Sequence, residues 1–172
     1  HAKGVSAERL VFTTLHAGGK FDNSAYKTSG GLHGVGSSVV NALSTYLDIK
    51  ISRDGYVHHD HYERGIPTIE LEEGLLPKLG RTKATGTCIN FLPDPEIFET
   101  TIYEYDVLEK RLREQAFLNA GLRITITDAR PGQEQSETMR YEGGIREFVT
   151  YINRNKTPLH EEVIYLAGAK DD

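Results

Sequence analysis

The sequence predicts an α+β fold in which helices form a layer on one face of a largely antiparallel, mixed sheet. Short stretches of alternating apolar and polar residues are separated by a few helical stretches, without strict alternation of strand and helix. The pair Asp54–Gly55 joins two of the alternating stretches and is typical of a tight antiparallel hairpin. A chain of 172 residues is also long enough to bury a core as a single domain.

Local periodicity and turn residues predict the individual elements. Helices are expected at 6–15, directly after the glycine-rich segment at 18–36, from residue 105 to about 120, and at 145–152. Strands are expected at 47–51, 56–62, 66–71, 86–92, 122–127, 137–141 and 163–167. A variable loop is expected between the third and fourth of these strands, because Gly74, Pro77 and Gly80 fall there.

The composition is typical of a globular cytoplasmic protein and disfavours several classes. A formal net charge of -5, with scattered basic residues, gives no general attraction to phosphate backbones, so this segment is not expected to bind DNA directly. The apolar runs are far shorter than a bilayer span, so no membrane contact is expected. The single cysteine, Cys88, fits a reducing compartment and is interpreted as a small strand residue.

The segment at 29–38 carries the clearest chemical signal. Closely spaced glycines let the backbone approach a ligand, and the helix that follows points unpaired N–H groups at it. Amides at Gly31, Gly34 and Gly36 can therefore surround phosphate oxygens, and Lys20 supplies an ammonium upstream. The alternative is a glycine-rich surface loop without a ligand.

Three familiar phosphate loops do not match this segment. A Walker loop requires Gly-Lys followed by Ser or Thr, whereas Lys20 precedes Phe21. A dinucleotide fingerprint requires a preceding strand and a third glycine, and both are lacking around Gly34 and Gly36. The accompanying motifs of protein kinases are also absent from the sequence.

Two smaller clusters favour structural interpretations. His59 and His61 share one face of a predicted strand, but two ligands are too few for a metal and no third is evident, so a solvated strand face is preferred. Glu109 and Arg113 are one helical turn apart and are interpreted as part of the wet face of a helix.

Longer motifs are specific to one family. The chain resembles the B subunits of bacterial DNA gyrases, which are type II DNA topoisomerases of the GHKL ATPase superfamily. The resemblance covers nearly the whole chain and rests on LHAGGKF at 15–21, YKTSGGLHGVG at 26–36, VVNAL at 39–43, TGT at 85–87, FLPDPEIF at 91–98, RLRE at 111–114, AFLN at 116–119 and YEGGI at 141–145.

This resemblance implies a GHKL, or Bergerat, two-layer α/β sandwich that binds ATP. It implies an ATP-binding domain at 1–159 that lacks its first elements, and the start of a transducer domain or a linker at 160–172. Tyr26 and Thr87 match residues at the adenine end of the pocket, and Lys20 would lie near the phosphates. The implied ATP contacts are Gly19, Lys20, Tyr26, Gly31, Leu32, His33, Gly34, Val35, Gly36, Ser37 and Thr87. Arg53 matches an arginine at the pocket mouth that meets aminocoumarin inhibitors, and the implied inhibitor pocket comprises Arg53, Thr87 and Ile89.

The resemblance also defines what this segment lacks. The family's general-base glutamate, Mg²⁺-binding asparagine and adenine-binding aspartate lie on elements that would precede His1. The segment alone is therefore expected to bind ATP without hydrolysing it. For the parent enzyme, the resemblance implies the A subunit of gyrase and DNA as partners, with ATP-dependent homodimerisation. The B subunit of topoisomerase IV and a non-catalytic scaffold are the alternatives.

Overall fold

Helices and antiparallel strands build both parts of the chain in the computed structural model, which describes residues 6–17 and 33–168. The chain divides into two compact units, one within 1–101 and one within 102–172. The predicted α+β class is confirmed. Among the described residues, no helix combines the length and apolar character that crossing a bilayer requires.

The first unit contains two short helices and five strands. Its elements are α1 (Ala7–Thr13), α2 (Gly36–Ala42), β1 (Ser44–Arg53), β2 (Tyr56–Glu63), β3 (Ile66–Pro67), β4 (Lys78–Arg81) and β5 (Gly86–Pro93). The sheet order is β3-β2-β1-β5, and β4 also pairs with β2. All of these pairings are antiparallel.

A tight turn sets the register of the β1–β2 hairpin. Asp54 and Gly55 have φ values of 52° and 81°, the left-handed pair that a two-residue turn needs to match the twist of the strands. The register pairs Arg53 with Tyr56 and continues to Tyr46 opposite Glu63. The hairpin predicted from the Asp-Gly pair is therefore confirmed.

The core of the first unit lies on one face of this sheet. Leu47, Ile49 and Tyr62 are fully buried, and Phe12 of α1 and Ile51 pack against them. Lys50, between buried Ile49 and partly buried Ile51, is exposed. Strand alternation thus separates a covered face from a more polar one, as the sequence pattern predicts.

The second unit contains α3 (Tyr105–Leu118), β6 (Ile124–Asp128), β7 (Gln135–Met139) and α4 (Gly144–Asn153). The two strands form an antiparallel ladder from Ile124 opposite Met139 to Asp128 opposite Gln135. Phe117 of α3 is fully buried, and its ring centroid lies 3.6 Å from that of Tyr141 and 5.0 Å from that of Phe148. Aromatic stacking therefore joins both helices to the segment that follows β7.

Two strand predictions and one loop prediction differ from the structure. The stretch at 163–167 is not a strand, and the Tyr165 ring instead lies 4.2 Å from the Arg146 guanidinium. The strand predicted at 66–71 is an edge strand that ends at Pro67, and β4 pairs with another part of β2. The predicted loop contains β4, whose backbone pairs with β2 although Gly80 interrupts its side-chain pattern.

Candidate functional site

The described part of the glycine-rich site runs from His33 to Ser37. Gly34 has a φ of 59°, a left-handed conformation that disfavours residues with a Cβ atom. The backbone then enters α2 at Gly36. The predicted contacts Gly19, Lys20, Tyr26, Gly31 and Leu32 lie outside the described residues.

The start of α2 leaves polar backbone groups available. Val35 is its N-cap, and no side-chain hydrogen bond caps this helix end. The first N–H groups of a helix have no partner within the helix, so an anion or water must satisfy them. A Cβ atom placed on Gly36 would meet no atom within 4 Å, so a side chain at this position would have open space.

Two hydrogen bonds connect residues in and after α1 with residues at and before α2. The Nδ1 of His16 lies 3.0 Å from the carbonyl oxygen of His33, so the ring nitrogen donates and the carbonyl accepts. The side-chain amide of Asn41 donates to the carbonyl oxygen of Phe12 at 3.0 Å, and Asn41 is only 1% exposed. The chain after α1 and the chain that enters α2 are therefore held together.

The sheet places the other predicted site residues on the face that carries the core. Thr87 lies opposite Ile51, and Ile89 lies opposite the buried Ile49. Phe12 of α1 packs on this face over β1 and β2. On β5, by contrast, Ile89 is 46% exposed. Thr87 and Ile89 are thus accessible to a ligand from the helix side of the sheet.

Arg53, at the end of β1, has a different environment. Its side chain is largely exposed, and its Nε lies 3.5 Å from a carboxylate oxygen of Asp54. Arg53 also lines a cavity of about 540 Å³ whose wall includes neither Thr87 nor Ile89. The predicted inhibitor pocket of these three residues therefore stays a prediction.

A buried polar network lies beneath α1, where no site was expected from the sequence. Arg9 of α1 donates two hydrogen bonds to Asp60 of β2, at 2.7 and 3.0 Å, and Asp60 is fully buried. The Tyr62 hydroxyl lies 2.8 Å from both Asp60 and Glu8. One feature of the sequence could have pointed to this network: Asp60 is two residues before Tyr62 on β2, so the two side chains share one face of the strand.

The histidine pair on β2 is part of an ionic cluster. Oδ1 of Asp48 lies 2.6 Å from Nε2 of His59 and 3.3 Å from Nδ1 of His61. Burial works to raise the pKa of Asp48, but the hydrogen bonds from both rings outweigh it and hold that pKa below its usual value. The predicted solvated face is therefore wrong in detail, because all three side chains are only 21–29% exposed.

This cluster does not provide a metal centre. Among the described residues, no group of three or more His, Cys, Asp and Glu side chains is arranged to hold a metal ion. Both histidine rings instead share one oxygen of Asp48, a geometry of hydrogen bonding between protein groups.

The predicted ion pair of Glu109 and Arg113 is confirmed, but its surroundings differ from the prediction. Arg113 also contacts Glu137 of β7 at 2.8 Å and donates to the Tyr141 hydroxyl at 2.8 Å. Its side chain is only 18% exposed. The interpretation as a wet helix face was wrong for Arg113, because the side chains of Glu137, Tyr141 and Tyr151 lie against its guanidinium.

Known proteins resemble this chain over nearly its full length. It is 50% identical over 170 residues to the DNA gyrase B subunit of Staphylococcus epidermidis, covering 98% of this chain and 26% of that protein. It is 53% identical over 170 residues to the DNA gyrase B subunit of Streptococcus pneumoniae, with the same coverage. It is 53% identical over 168 residues to the DNA gyrase B subunit of Halalkalibacterium halodurans, covering 25% of that protein. The chain spans about a quarter of the length of these relatives, and no family model matches it.

Proposed function

The chain belongs, over the segment that it spans, to the family of DNA gyrase B subunits, and from this premise we propose that residues 33–37 form part of an ATP-binding site. The observation that carries the proposal is the identity of 50–53% to gyrase B proteins over almost the whole chain. The start of α2 is compatible with it, because no side-chain hydrogen bond caps this helix end and Gly36 has open space around its Cβ position.

In this proposal the backbone binds the phosphates of ATP. The N–H groups from Gly34 to Ser37 donate to phosphate oxygens, and the left-handed Gly34 turns the chain so that successive amides converge. Lys20 adds a positive charge near the phosphates. Tyr26 and Thr87 bind the adenine end, and Thr87 lies on the accessible part of the helix-side face.

The described residues do not fit a Mg²⁺ site of their own. A hard cation prefers carboxylate and amide oxygens, and none of the described residues forms a suitable group of three or more acidic, histidine or cysteine side chains. We therefore assign no Mg²⁺ ligand among residues 6–17 and 33–168. When Mg²⁺ binds with ATP in the parent enzyme, it neutralises charge on the phosphates.

For the parent protein we propose ATP hydrolysis coupled to passage of one DNA duplex through another and to negative supercoiling. The A subunit of gyrase and DNA are the proposed partners, ATP drives homodimerisation, and the location is cytoplasmic. This segment alone is proposed to bind ATP without turnover. Support comes from the three relatives named above, each of which is a B subunit of DNA gyrase.

Plasmid topology tests the function of the parent. The full-length protein, reconstituted with its gyrase A partner, is expected to introduce negative supercoils into relaxed plasmid only when ATP is present. Efficient decatenation without supercoiling would instead identify a topoisomerase IV. Absence of both activities in an assembled, ATP-supplied complex would reject the proposal for the parent.

Calorimetry with a non-hydrolysable ATP analogue tests the function of this chain. We expect a dissociation constant in the micromolar range, and loss of binding in Gly36→Val, whose side chain enters the open space at the start of α2. Gly80→Val is the matched control, because a Cβ on Gly80 also meets nothing within 4 Å. No binding at millimolar analogue would favour a non-catalytic scaffold.

A further inference from the structure

Helix α1 is attached to the sheet by two adjacent charged residues. Arg9 pairs with Asp60 through Nη2 at 2.7 Å and Nε at 3.0 Å, and its Nη2 also donates to the carbonyl oxygen of Ile69 at 2.8 Å. Its neighbour Glu8 reaches Tyr62, which is fully buried on the same strand as Asp60. Both side chains of α1 therefore meet one buried group of oxygen atoms.

The two short oxygen–oxygen contacts of Tyr62 determine how many protons Glu8, Tyr62 and Asp60 must share. The Tyr62 hydroxyl oxygen lies 2.8 Å from Oε1 of Glu8 and 2.8 Å from Oδ2 of Asp60. A phenol has one proton, so it donates to only one of the two carboxyl groups. The other short contact requires a second proton on a carboxyl group, because two unprotonated oxygens at this distance repel each other.

The surroundings of the two carboxyl groups favour Glu8 over Asp60 as the holder of this second proton. Asp60 already accepts two hydrogen bonds from the Arg9 guanidinium and one from the backbone N–H of His61 at 3.1 Å. Among the described residues Glu8 has no comparable cationic partner at hydrogen-bond distance, and its second oxygen, Oε2, is buried without a hydrogen bond to any of them. An ionised Glu8 would leave that charge unsatisfied.

Other charged groups near Glu8 do not remove this preference. On α1, Arg9 favours the charged form, whereas Asp60 on β2 disfavours it. The cavity that Glu8 lines also contains Arg53 of β1, His58 of β2, Glu73 and Lys78 of β4. Burial has the largest effect and raises the pKa of Glu8 to about 7.

We propose that Glu8 carries a proton in the folded protein and that this proton is a pH-sensitive latch between α1 and the sheet. In the latched state, Glu8 donates to the Tyr62 oxygen and Tyr62 donates to Asp60. When the proton leaves to solvent, two carboxylates share a single phenolic proton, and α1 loosens. This inference does not depend on the proposed nucleotide site.

The direction of the pH effect follows from linkage. The unfolded chain loses the Glu8 proton near pH 4.5, whereas the folded chain keeps it until about pH 7. The stabilisation from this carboxyl is therefore fully present below about pH 4.5 and is lost as the pH rises to about 7. Glu8→Gln, which keeps the shape and a donor group, is expected to remove this dependence.

Carboxyl ¹³C NMR on the unmodified chain tests the latch directly. The Glu8 carboxyl signal, assigned through its own backbone, is expected to titrate near pH 7, and titration near pH 4.5 would overturn the proposal. This measurement does not require any variant to fold.

Amide hydrogen exchange, corrected for its intrinsic pH dependence, provides the second test. Protection of α1 in the unmodified chain is expected to fall at least threefold between pH 5.5 and 8, whereas Glu8→Gln keeps it constant. The exposed Glu70→Gln is the control and is expected to behave as the unmodified chain does. Equal pH dependence in the unmodified chain and Glu8→Gln would contradict the latch.

Discussion

The Nε of Arg64 lies 2.8 Å from Oδ2 of Asp94, a carboxylate that is only 1% exposed. The second oxygen of Asp94 accepts the backbone N–H of Glu96 at 2.9 Å. Arg64 follows β2 and Asp94 follows β5, so this ion pair connects the ends of two strands that both flank β1.

Asp94→Ala is expected to destabilise the chain by about 2–3 kcal/mol, because it removes a buried acceptor and leaves Arg64 and the N–H of Glu96 without it. Urea unfolding gives this difference. Glu96→Gln is the control, since Glu96 also pairs with Arg64 but is 72% exposed, and a loss of less than about 1 kcal/mol is expected. Equal decreases in the free energy of unfolding for the two variants would contradict the view that the buried carboxylate of Asp94 contributes more than the exposed one of Glu96.

Arg113→Ala is expected to destabilise the second unit by about 2 kcal/mol or more. The substitution leaves Glu109 and Glu137 facing each other without the guanidinium that separates them. Arg111→Ala on the same helix removes a 75% exposed side chain and an ion pair to Glu114, and should cost less than about 1 kcal/mol. Thermal unfolding of both variants measures the contrast, and a similar fall in Tm would contradict it.

Asp128 is expected to contribute to the acid sensitivity of the second unit. Hydrogen bonds from the Arg130 side chain and backbone lower the pKa of Asp128 to about 2. A depressed pKa stabilises the fold above the usual value near 3.8, and this stabilisation is lost as the pH falls from there to about 2. In Asp128→Asn, the free energy of unfolding, measured by denaturant titration at a series of pH values, should depend less steeply on pH within that window. If the free energy of unfolding of the variant depended on pH as it does in the unmodified chain, the ion pair of Asp128 and Arg130 would not contribute to acid sensitivity.

Two glycines two residues apart should respond differently to alanine. Gly34 has a φ of 59°, where a Cβ costs about 1–2 kcal/mol, so Gly34→Ala is expected to destabilise. Gly36 begins α2 in open space, so Gly36→Ala is expected to be neutral or slightly stabilising. Denaturant midpoints of both variants give the comparison. Equal effects would mean that the backbone at Gly34 does not require glycine.

The sequence predicted those parts of the fold in which local chemistry and tertiary structure agree. The Asp54–Gly55 turn and the alternation in β1 specified a hairpin, and the apolar stripe of α3 specified a helix. The strand β4 could not be found in this way, because its pairing with β2 comes from backbone hydrogen bonds between distant segments. The apolar residues at 163–167 misled the prediction, because alternation alone does not supply a partner strand.

Part of the candidate site lies within the described residues. The glycine pattern predicts an anion-binding backbone at 29–38, and within this range the structure has a positive φ at Gly34 and a helix start without a side-chain cap; anion binding there stays a prediction. The network of Glu8, Arg9, Asp60 and Tyr62 was not predictable, because its two halves lie 51 to 54 residues apart and resemble ordinary surface charges in sequence. Only packing of α1 on the sheet brings them together.

Amide chemical shifts of the ¹⁵N-labelled chain test the nucleotide site most directly. On addition of a non-hydrolysable ATP analogue, the signals of residues 33–37 are expected to move, together with those of Thr87 and Ile89. Adenosine alone is expected to move Thr87 and Ile89 but leave 33–37 nearly unchanged, because it lacks phosphates. Shifts confined to residues 102–168, or saturating binding that leaves 33–37 unchanged, would contradict the proposed site.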